Sequence, residues 1–392
     1  MKREILKKYF GYDSLKEEQE YIIDSVLSLS DTIGVLPTGF GKSLTFQIPA
    51  LLFSDLTLVI TPLISLMADQ VKNLKKRGIK AEYISSLQSD EEIEMIYSRL
   101  NKNKVKILYL ASERLLTKRF LDNIKNIKIS FIVIDEAHTL LWGEDFRKAM
   151  LDIPLFIVRV GYRPVILALT ATANNETLSK ITKIAGLDNP NVYTINCDRE
   201  NIFYRIINSK NKINDLKALL NNDKSIIYCL TIRSVEDIYG ILSKMGYEVY
   251  YYHGELDKTI KKEQQMLFSN SKNGIIVATN AFGMGIDIPD IRRIILYDMP
   301  SCIEDFMQQS GRASRDGKYA EAIVLFNIND IKTVSFFIEK IEDKKIKKDR
   351  YNKLEKMVSL CISKKCIHKS TCEYFGMRYM KNKCMMCSNC KK

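Results

Sequence analysis

Ile33-Gly34-Val35-Leu36-Pro37-Thr38-Gly39-Phe40-Gly41-Lys42-Ser43 decides the fold. The apolar run over 33–36 reads as a strand, Pro37 to Gly41 as a turn, and the segment after Ser43 as a helix. A glycine-rich turn here lets backbone N–H groups approach a phosphate, and the helix N-terminus favours negative charge. Thr38, Gly39 and Gly41 would line that cradle. Lys42 would reach the outer phosphates of a nucleotide, and Ser43 would ligate Mg²⁺. The strict G-x-x-x-x-G-K-S/T pattern is not met, because position 36 is Leu. The competing reading of this stretch alone is a chance turn with Lys at a helix start.

Outward from this loop, short apolar strands alternate with amphipathic helices for about 330 residues. Strands are predicted over 57–61, 106–110, 131–135 and 165–170, then over 225–229, 248–252, 274–278, 293–297 and 322–326. Helices over 62–76, 232–245 and 258–268 lie between them. The alternation predicts two parallel, doubly wound α/β sheets. No fixed-period repeat relates the halves. The first boundary falls near 196–201. The charged stretch 339–350 reads as a helical connector, with a solvated helix face as the default account of its charge. A small cysteine-rich module follows, so the expected division is 1–198, 199–338 and 339–392.

Composition agrees with folded domains: 46% of the 392 residues are hydrophobic, with only 8 Pro and 17 Gly. The formal net charge of +13 suits a polyanionic partner such as nucleic acid. Much of the excess lies from Tyr351 to Lys392, where ten Lys/Arg face two Asp/Glu. Of nine cysteines, Cys197, Cys229 and Cys302 are scattered, and six fall between Cys361 and Cys390. The N-terminus carries no signal-peptide pattern, and no apolar run reaches the 18 or so residues a membrane span needs. A reducing compartment is expected (cytoplasm, nucleoid or nucleus), with the clustered cysteines as metal ligands rather than disulfides.

About 90 residues after the loop, Phe131-Ile132-Val133-Ile134-Asp135-Glu136-Ala137-His138 ends an apolar strand in two acids. Asp135 would hold Mg²⁺ through water, and Glu136 would activate the attacking water. Acids at strand ends are common, but following a phosphate loop they point to a nucleoside triphosphatase. Gln308-Gln309-Ser310-Gly311-Arg312-Ala313-Ser314-Arg315-Asp316 offers two arginines three apart, which would share a face at a helix end. Such an arginine can stabilise γ-phosphate charge in the transition state; surface salt bridging is the alternative. Near the C-terminus, Cys384-Met385-Met386-Cys387-Ser388-Asn389-Cys390 gives C-x-x-C-x-x-C, with Cys366, Cys372 and Cys361 upstream. Four thiolates on tight turns suit a structural tetrahedral Zn²⁺; an iron–sulfur cluster is the chemical alternative.

With these motifs in place, the chain from Leu6 to Cys390 resembles superfamily 2 helicases, and the RecQ family in particular. The loop over 36–43 is similar to the looser variant found in helicases. The segment 6–19, with Phe10-Gly11-Tyr12, is similar to the family's adenine-recognition segment; the resemblance implies that Tyr12 stacks on adenine and Gln19 bonds its edge. Core packing is the other reading of Tyr12. The family usually has Arg where Lys16 stands. Thr61-Pro62-Leu63-Ile64-Ser65-Leu66-Met67, Ala68-Asp69-Gln70, Ser112-Glu113-Arg114-Leu115 and Leu169-Thr170-Ala171-Thr172-Ala173 resemble further family motifs. The last of these links hydrolysis to domain movement. Ala278-Thr279-Asn280-Ala281-Phe282-Gly283-Met284-Gly285-Ile286-Asp287 is close to the family wording, which implies a ribose contact for Asp287. Gln308, Arg312 and Arg315 would then serve hydrolysis, with Arg315 as the finger; the family usually has Gly where Ser314 stands.

The resemblance departs just after D-E-A-H. The family's aromatic loop usually has Gln before Trp and a His-Asp-Phe-Arg run. Here it reads Thr139-Leu140-Leu141-Trp142-Gly143-Glu144-Asp145-Phe146-Arg147, one residue shorter. Trp142 and Phe146 would stack on bases and Arg147 would reach phosphate; a core Trp is the alternative. At the cysteine module, Tyr374-Phe375-Gly376 stands at the family's distance from Cys366. That match selects Cys366 with Cys384, Cys387 and Cys390 as zinc ligands. The usual Arg pair after the first ligand is Ile367-His368, with His368 an alternate ligand or a surface residue.

The resemblance implies two tandem RecA-like parallel-sheet domains plus a small helical zinc-binding module. It also implies an ATP-, Mg²⁺- and Zn²⁺-dependent 3′→5′ helicase acting on single-stranded and duplex DNA in repair or recombination. The expected form is a monomer with no membrane partner. ATP binding would close the two domains and hydrolysis would reopen them. The family's winged helix and C-terminal helical domain do not follow the zinc module in this sequence, so translocation is expected more than efficient unwinding. The basic zinc region is a candidate duplex contact. Two alternatives stand beside this reading: an RNA helicase sharing the same ATPase core, and an annealing protein with a vestigial ATPase.

Overall fold

The computed structural model describes all residues except 38, 62–63, 87, 142–143, 197, 284–287 and 392, and only the backbone of 64–66, 140–141 and 144–151. The chain forms two compact units, Met1–Ile195 and Asn196–Lys392.

The first unit holds β1 (Thr32–Val35), β2 (Leu56–Thr61), β3 (Ala81–Ile84), β4 (Ile107–Ala111), β5 (Ile129–Ile134), β6 (Val165–Thr170) and β7 (Asn191–Thr194) in the order β3-β4-β2-β5-β6-β1-β7. All these pairings are parallel. Every residue of β1, β2, β4 and β6 is buried. Parallel strands with helices on both faces need such continuous apolar runs, which is why they stand out in the sequence. Val35 pairs with Thr170 and with Thr194. The loop leaving β1 therefore lies beside the residues that follow β6.

The second unit is built alike. Its strands are β8 (Ile202–Asn208), β9 (Ser225–Tyr228), β10 (Val249–Tyr252), β11 (Ile275–Ala278), β12 (Arg293–Leu296) and β13 (Ala320–Phe326), in the order β10-β11-β9-β12-β13-β8. Its core runs without a break into the cysteine module. Tyr204, Phe306 and Phe326 belong to the same buried cluster as Leu354, Met357, Ile367, Phe375 and Cys387.

Three strands escape the sequence expectation: β3, β7 and β8, each at the edge of its sheet. Edge strands bury less, so their apolar signal is weaker; β7 is mostly exposed. The single helical connector expected over 339–350 is also corrected. A helix ends at Glu339, and a new one, Lys344–Ile362, begins after a break. Asp343 sets that start, its carboxylate accepting from the N–H groups of Lys345 at 2.7 Å and Ile346 at 3.0 Å.

Candidate nucleotide and metal sites

The phosphate loop leaves the C-terminal end of β1 and runs into the helix Leu44–Leu52. Gly39 (φ +82°) and Gly41 (φ +87°) take left-handed conformations that a side chain disfavours. Gln19 closes the loop from behind. It is buried, and its Nε2 donates to the carbonyls of Phe40 at 2.9 Å and Gly41 at 3.3 Å, while its Oε1 accepts from Lys16 N at 3.0 Å. A Cβ on Gly41 would meet Gln19 Nε2 at 2.7 Å, so glycine is required there twice over. Lys16, the departure from the usual Arg, lies over the Phe40 ring with its Nζ 3.9 Å from the centroid. Tyr12 is 54% exposed, which removes the core-packing reading of that residue.

The two acids follow β5. Lys42 Nζ donates to Glu136 Oε1 at 2.9 Å, across 94 positions of sequence. Asp135 is half-buried, and its Oδ1 accepts from Glu136 N at 2.9 Å. Burial, with the adjacent Glu136 carboxylate, pushes the Asp135 carboxyl up to about 6 against the pull of Lys42. Glu136 adopts φ +51°, a conformation rare outside glycine that turns its side chain back toward the loop. His138 extends the network: its Nδ1 lies 3.4 Å from Glu136 Oε2 and 3.1 Å from Thr170 Oγ1. Thr170 Oγ1 in turn donates to Thr172 O at 3.0 Å. One chain of contacts thus runs from Lys42 to the segment after β6. His138 received no role from the sequence, although it is the fourth letter of D-E-A-H.

In the second unit, Gln308 is half-buried on the helix Ile303–Ser310, and its buried neighbour Gln309 donates to Asn280 Oδ1. The expectation that Arg312 and Arg315 share a helical face is corrected. The helix ends at Ser310, and Ser314, between the arginines, has φ +47° and breaks helical periodicity. Arg312 is buried, its guanidinium donating to Gly283 O. Gly283 has φ +122°, and a Cβ there would run into that guanidinium.

The Sγ atoms of Cys366, Cys384, Cys387 and Cys390 lie within 4.8 Å of one another. Four thiolates about 2.3 Å from a tetrahedral ion sit roughly 3.8 Å apart, so small rotations close the set on zinc. Backbone N–H groups face two of the sulfurs: Lys369 N is 3.5 Å from Cys366 Sγ, and Met386 N is 3.3 Å from Cys384 Sγ. Cys361 and Cys372 lie outside the set; Cys372 donates to Asn196 Oδ1 at 3.5 Å. His368 is neither a surface residue nor a member of it. It is buried, with Nδ1 on Asp198 Oδ1 and Nε2 donating to Met386 O at 2.9 Å. The metal loop also pairs with β8: Tyr204 N donates to Met386 O at 3.0 Å, and Ser388 N to Tyr204 O at 2.9 Å.

Three family models match the chain: DEAD/DEAH box helicase over 16–181, helicase conserved C-terminal domain over 211–317, and RecQ zinc-binding over 328–391. Over 391 residues the chain is 36% identical to the ATP-dependent DNA helicase RecQ of Bacillus subtilis (strain 168), covering 98% of this chain and 66% of that one. The chain belongs to the RecQ family. It is also 35% identical to a putative ATP-dependent RNA helicase, R290, of Acanthamoeba polyphaga mimivirus, over 99% of this chain and 71% of that protein. Among solved structures, the DUF1998 helicase MrfA bound to DNA superposes with a TM-score of 0.71 at 18% identity, over 89% of this chain and 56% of that one. That likeness is one of fold. The chain spans between 62% and 66% of the length of the bacterial RecQ relatives it matches.

Of the positions expected from the sequence, the structure brings Lys42, Asp135 and Glu136 together and gathers the four cysteines that the RecQ resemblance selects. Thr38, Trp142 and Asp287 lie outside the described residues, as do the side chains of Phe146 and Arg147 on the helix Glu144–Val160. No helix among the described residues is long and apolar enough to cross a membrane.

Proposed function

We propose that the chain is an ATP-dependent DNA translocase and helicase of 3′→5′ polarity, acting as a monomer on single-stranded and duplex DNA in repair or recombination. The observation that carries the proposal is the Lys42–Glu136 pair, set between a glycine loop and the half-buried Asp135. RecQ membership and the four-thiolate set support DNA as the track. The division into 1–198, 199–338 and 339–392 is the working description of its parts.

In this reading the loop amides from Thr38 to Gly41 and the Lys42 ammonium bind the phosphates. Ser43 and Asp135 hold Mg²⁺, which neutralises phosphate charge. Glu136 orients the attacking water and accepts its proton. Tyr12 offers an exposed ring to adenine, Gln19 its edge contact, and Asp287 the ribose contact. Gln308, Arg312 and Arg315 serve the same nucleotide in its hydrolysis-competent state, with Arg315 as the finger. Trp142 and Phe146 stack on bases and Arg147 binds phosphate. Zn²⁺ on Cys366, Cys384, Cys387 and Cys390 is structural, since four protein ligands leave no open position.

The test is steady-state ATP hydrolysis without nucleic acid, with single-stranded DNA and with RNA, using Lys42→Ala as control. Stimulation by DNA that disappears in the variant supports the proposal. Preferential stimulation by RNA moves the chain to the class named for the mimivirus relative. No turnover under any condition leaves the annealing reading.

A further inference from the structure

The first boundary was expected near 196–201, and the second unit does begin at Asn196; its opening residues, with Tyr204, make two sets of contacts. One set of its contacts goes to the metal module. Asp198 pairs with His368, both side chains being nearly inaccessible at 6% and 1%. Asn196 takes the Cys372 thiol, Glu200 pairs with Lys381, and the Tyr204 ring packs 4.5 Å from the His368 ring. A second set goes to the loop that carries Arg312 and Arg315. The Arg199 guanidinium donates to the carbonyls of Gly311 at 3.3 Å, Ala313 at 3.2 Å and Ser314 at 2.9 Å. Asn201 Nδ2 donates to Ser314 O at 3.3 Å, Ser314 Oγ at 3.1 Å and Lys318 O at 2.9 Å.

Those bonds converge where the loop is under backbone strain. Ser314 sits at φ +47°, a conformation that a non-glycine residue keeps only when its surroundings over-determine it. Its hydroxyl also donates to Asp316 Oδ1 at 3.1 Å. The guanidinium of Arg199 is a planar fork matched to several carbonyls at once, a job lysine cannot do. Because Asp198 and Arg199 are adjacent, the anchor on the metal module and the clamp on the strained loop move as one piece.

We propose that residues 198–201 form a strut through which the metal-bound module holds the arginine loop in its working shape, with Arg199 as the positioning residue. The strut rests on the reading that Arg312 and Arg315 serve hydrolysis. Arg199 acts through the backbone on both sides of Ser314, its guanidinium donating to the carbonyls of Ala313 and Ser314. Losing it lets residues 311–318 relax toward an ordinary turn and moves both arginine side chains. Loss of the Asp198–His368 anchor loosens the same loop from the other end.

The experiment uses the full chain with its metal bound and compares Arg199→Ala, Arg199→Lys, Asp198→Ala and Arg315→Ala. Amide hydrogen exchange and DNA-stimulated ATP hydrolysis are read on each. In Arg199→Ala, exchange in 311–318 should quicken about tenfold or more while β9, β11 and β12 keep their protection. There kcat should fall between about tenfold and a hundredfold, the order of misplacing a catalytic group by about 1 Å rather than removing it, with the KM for ATP within about twofold. Arg199→Lys should recover less than half of the loss. Asp198→Ala should quicken exchange in 311–318 as well. Unchanged exchange there in both Arg199→Ala and Asp198→Ala overturns the strut, and so does a general loss of protection across the second sheet in Arg199→Ala. If Arg315→Ala leaves kcat untouched, the arginine assignment fails, and the exchange data judge the strut by themselves.

Discussion

Replacing Glu136 by Gln should separate nucleotide binding from hydrolysis in opposite directions. Lys42 Nζ donates to Glu136 Oε1 at 2.9 Å, with the two side chains only 14% and 15% exposed. A phosphate that reaches Lys42 would compete with that carboxylate for the ammonium. A hydrogen bond between charged groups contributes about 1.5–3 kcal/mol net, and a neutral one about 1 kcal/mol. Gln keeps the shape and can still accept from the ammonium but loses the opposite charge, so about 0.5–2 kcal/mol of competition is removed. Nucleotide affinity should therefore rise roughly 2- to 30-fold. Hydrolysis should fall about 10²- to 10⁴-fold, because the amide cannot accept the proton of the attacking water. A fluorescent ATP analogue titrated with Mg²⁺ gives the first quantity, and single-turnover hydrolysis the second. Equal or weaker nucleotide binding would show that Glu136 does not restrain Lys42. Retained hydrolysis would remove Glu136 from the chemistry.

Asp135 predicts a pH dependence. Its folded value of about 6 lies above the ordinary carboxyl range, so the protonated form is favoured below it. Apparent Mg²⁺ affinity in the presence of nucleotide should fall about tenfold per pH unit below 6, as isothermal titration would measure. The same shift makes its stabilising share complete below about pH 4 and lost as pH rises through 6, so Asp135→Asn should raise the melting temperature of the metal-free site at pH 8. Gly41→Ala would set a methyl group against Gln19 at a backbone angle glycine favours; equilibrium binding should show nucleotide affinity reduced more than tenfold. Cys384→Ser removes a metal ligand from a module that shares the second unit's core. Zinc content should fall, and calorimetry should show the melting temperature lowered by roughly 10 °C or more.

Much of the fold was legible because parallel strands buried on both faces are written as short apolar runs. Ile132 to Ile134 and Leu167 to Leu169 could hardly be read otherwise. Three of the four edge strands were not, since Glu82 in β3 and the exposed residues of β7 carry no such signal; β10, with its run of tyrosines, was. At the site, glycines and acids declare themselves because phosphate binding constrains residue type and spacing together. Partnerships made only in three dimensions do not. Gln19 was read through adenine, although its amide grips the phosphate loop. His368 was placed among surface groups because no local pattern announces Asp198, 170 positions away. Arg199 sat in a stretch read as a boundary, since a side chain that bonds backbone carbonyls more than a hundred positions away leaves no mark in its own neighbourhood. The shared helical face of Arg312 and Arg315 failed at Ser314, whose left-handed backbone is invisible in a residue letter.

The pairing of the metal loop with Tyr204 has a consequence for how the chain fails. β8 is the outermost strand of its sheet, joined to β13 on one side, and on the other the backbone of Met386 and Ser388 pairs with it at Tyr204. A bare strand edge is a template for another chain. Metal loss would therefore uncover a self-adhesive border, and the stripped protein should leave solution by intermolecular strand addition before its ATPase fold has melted. The zinc would then act as a guard on solubility, and the shelf life of the protein would track its metal content.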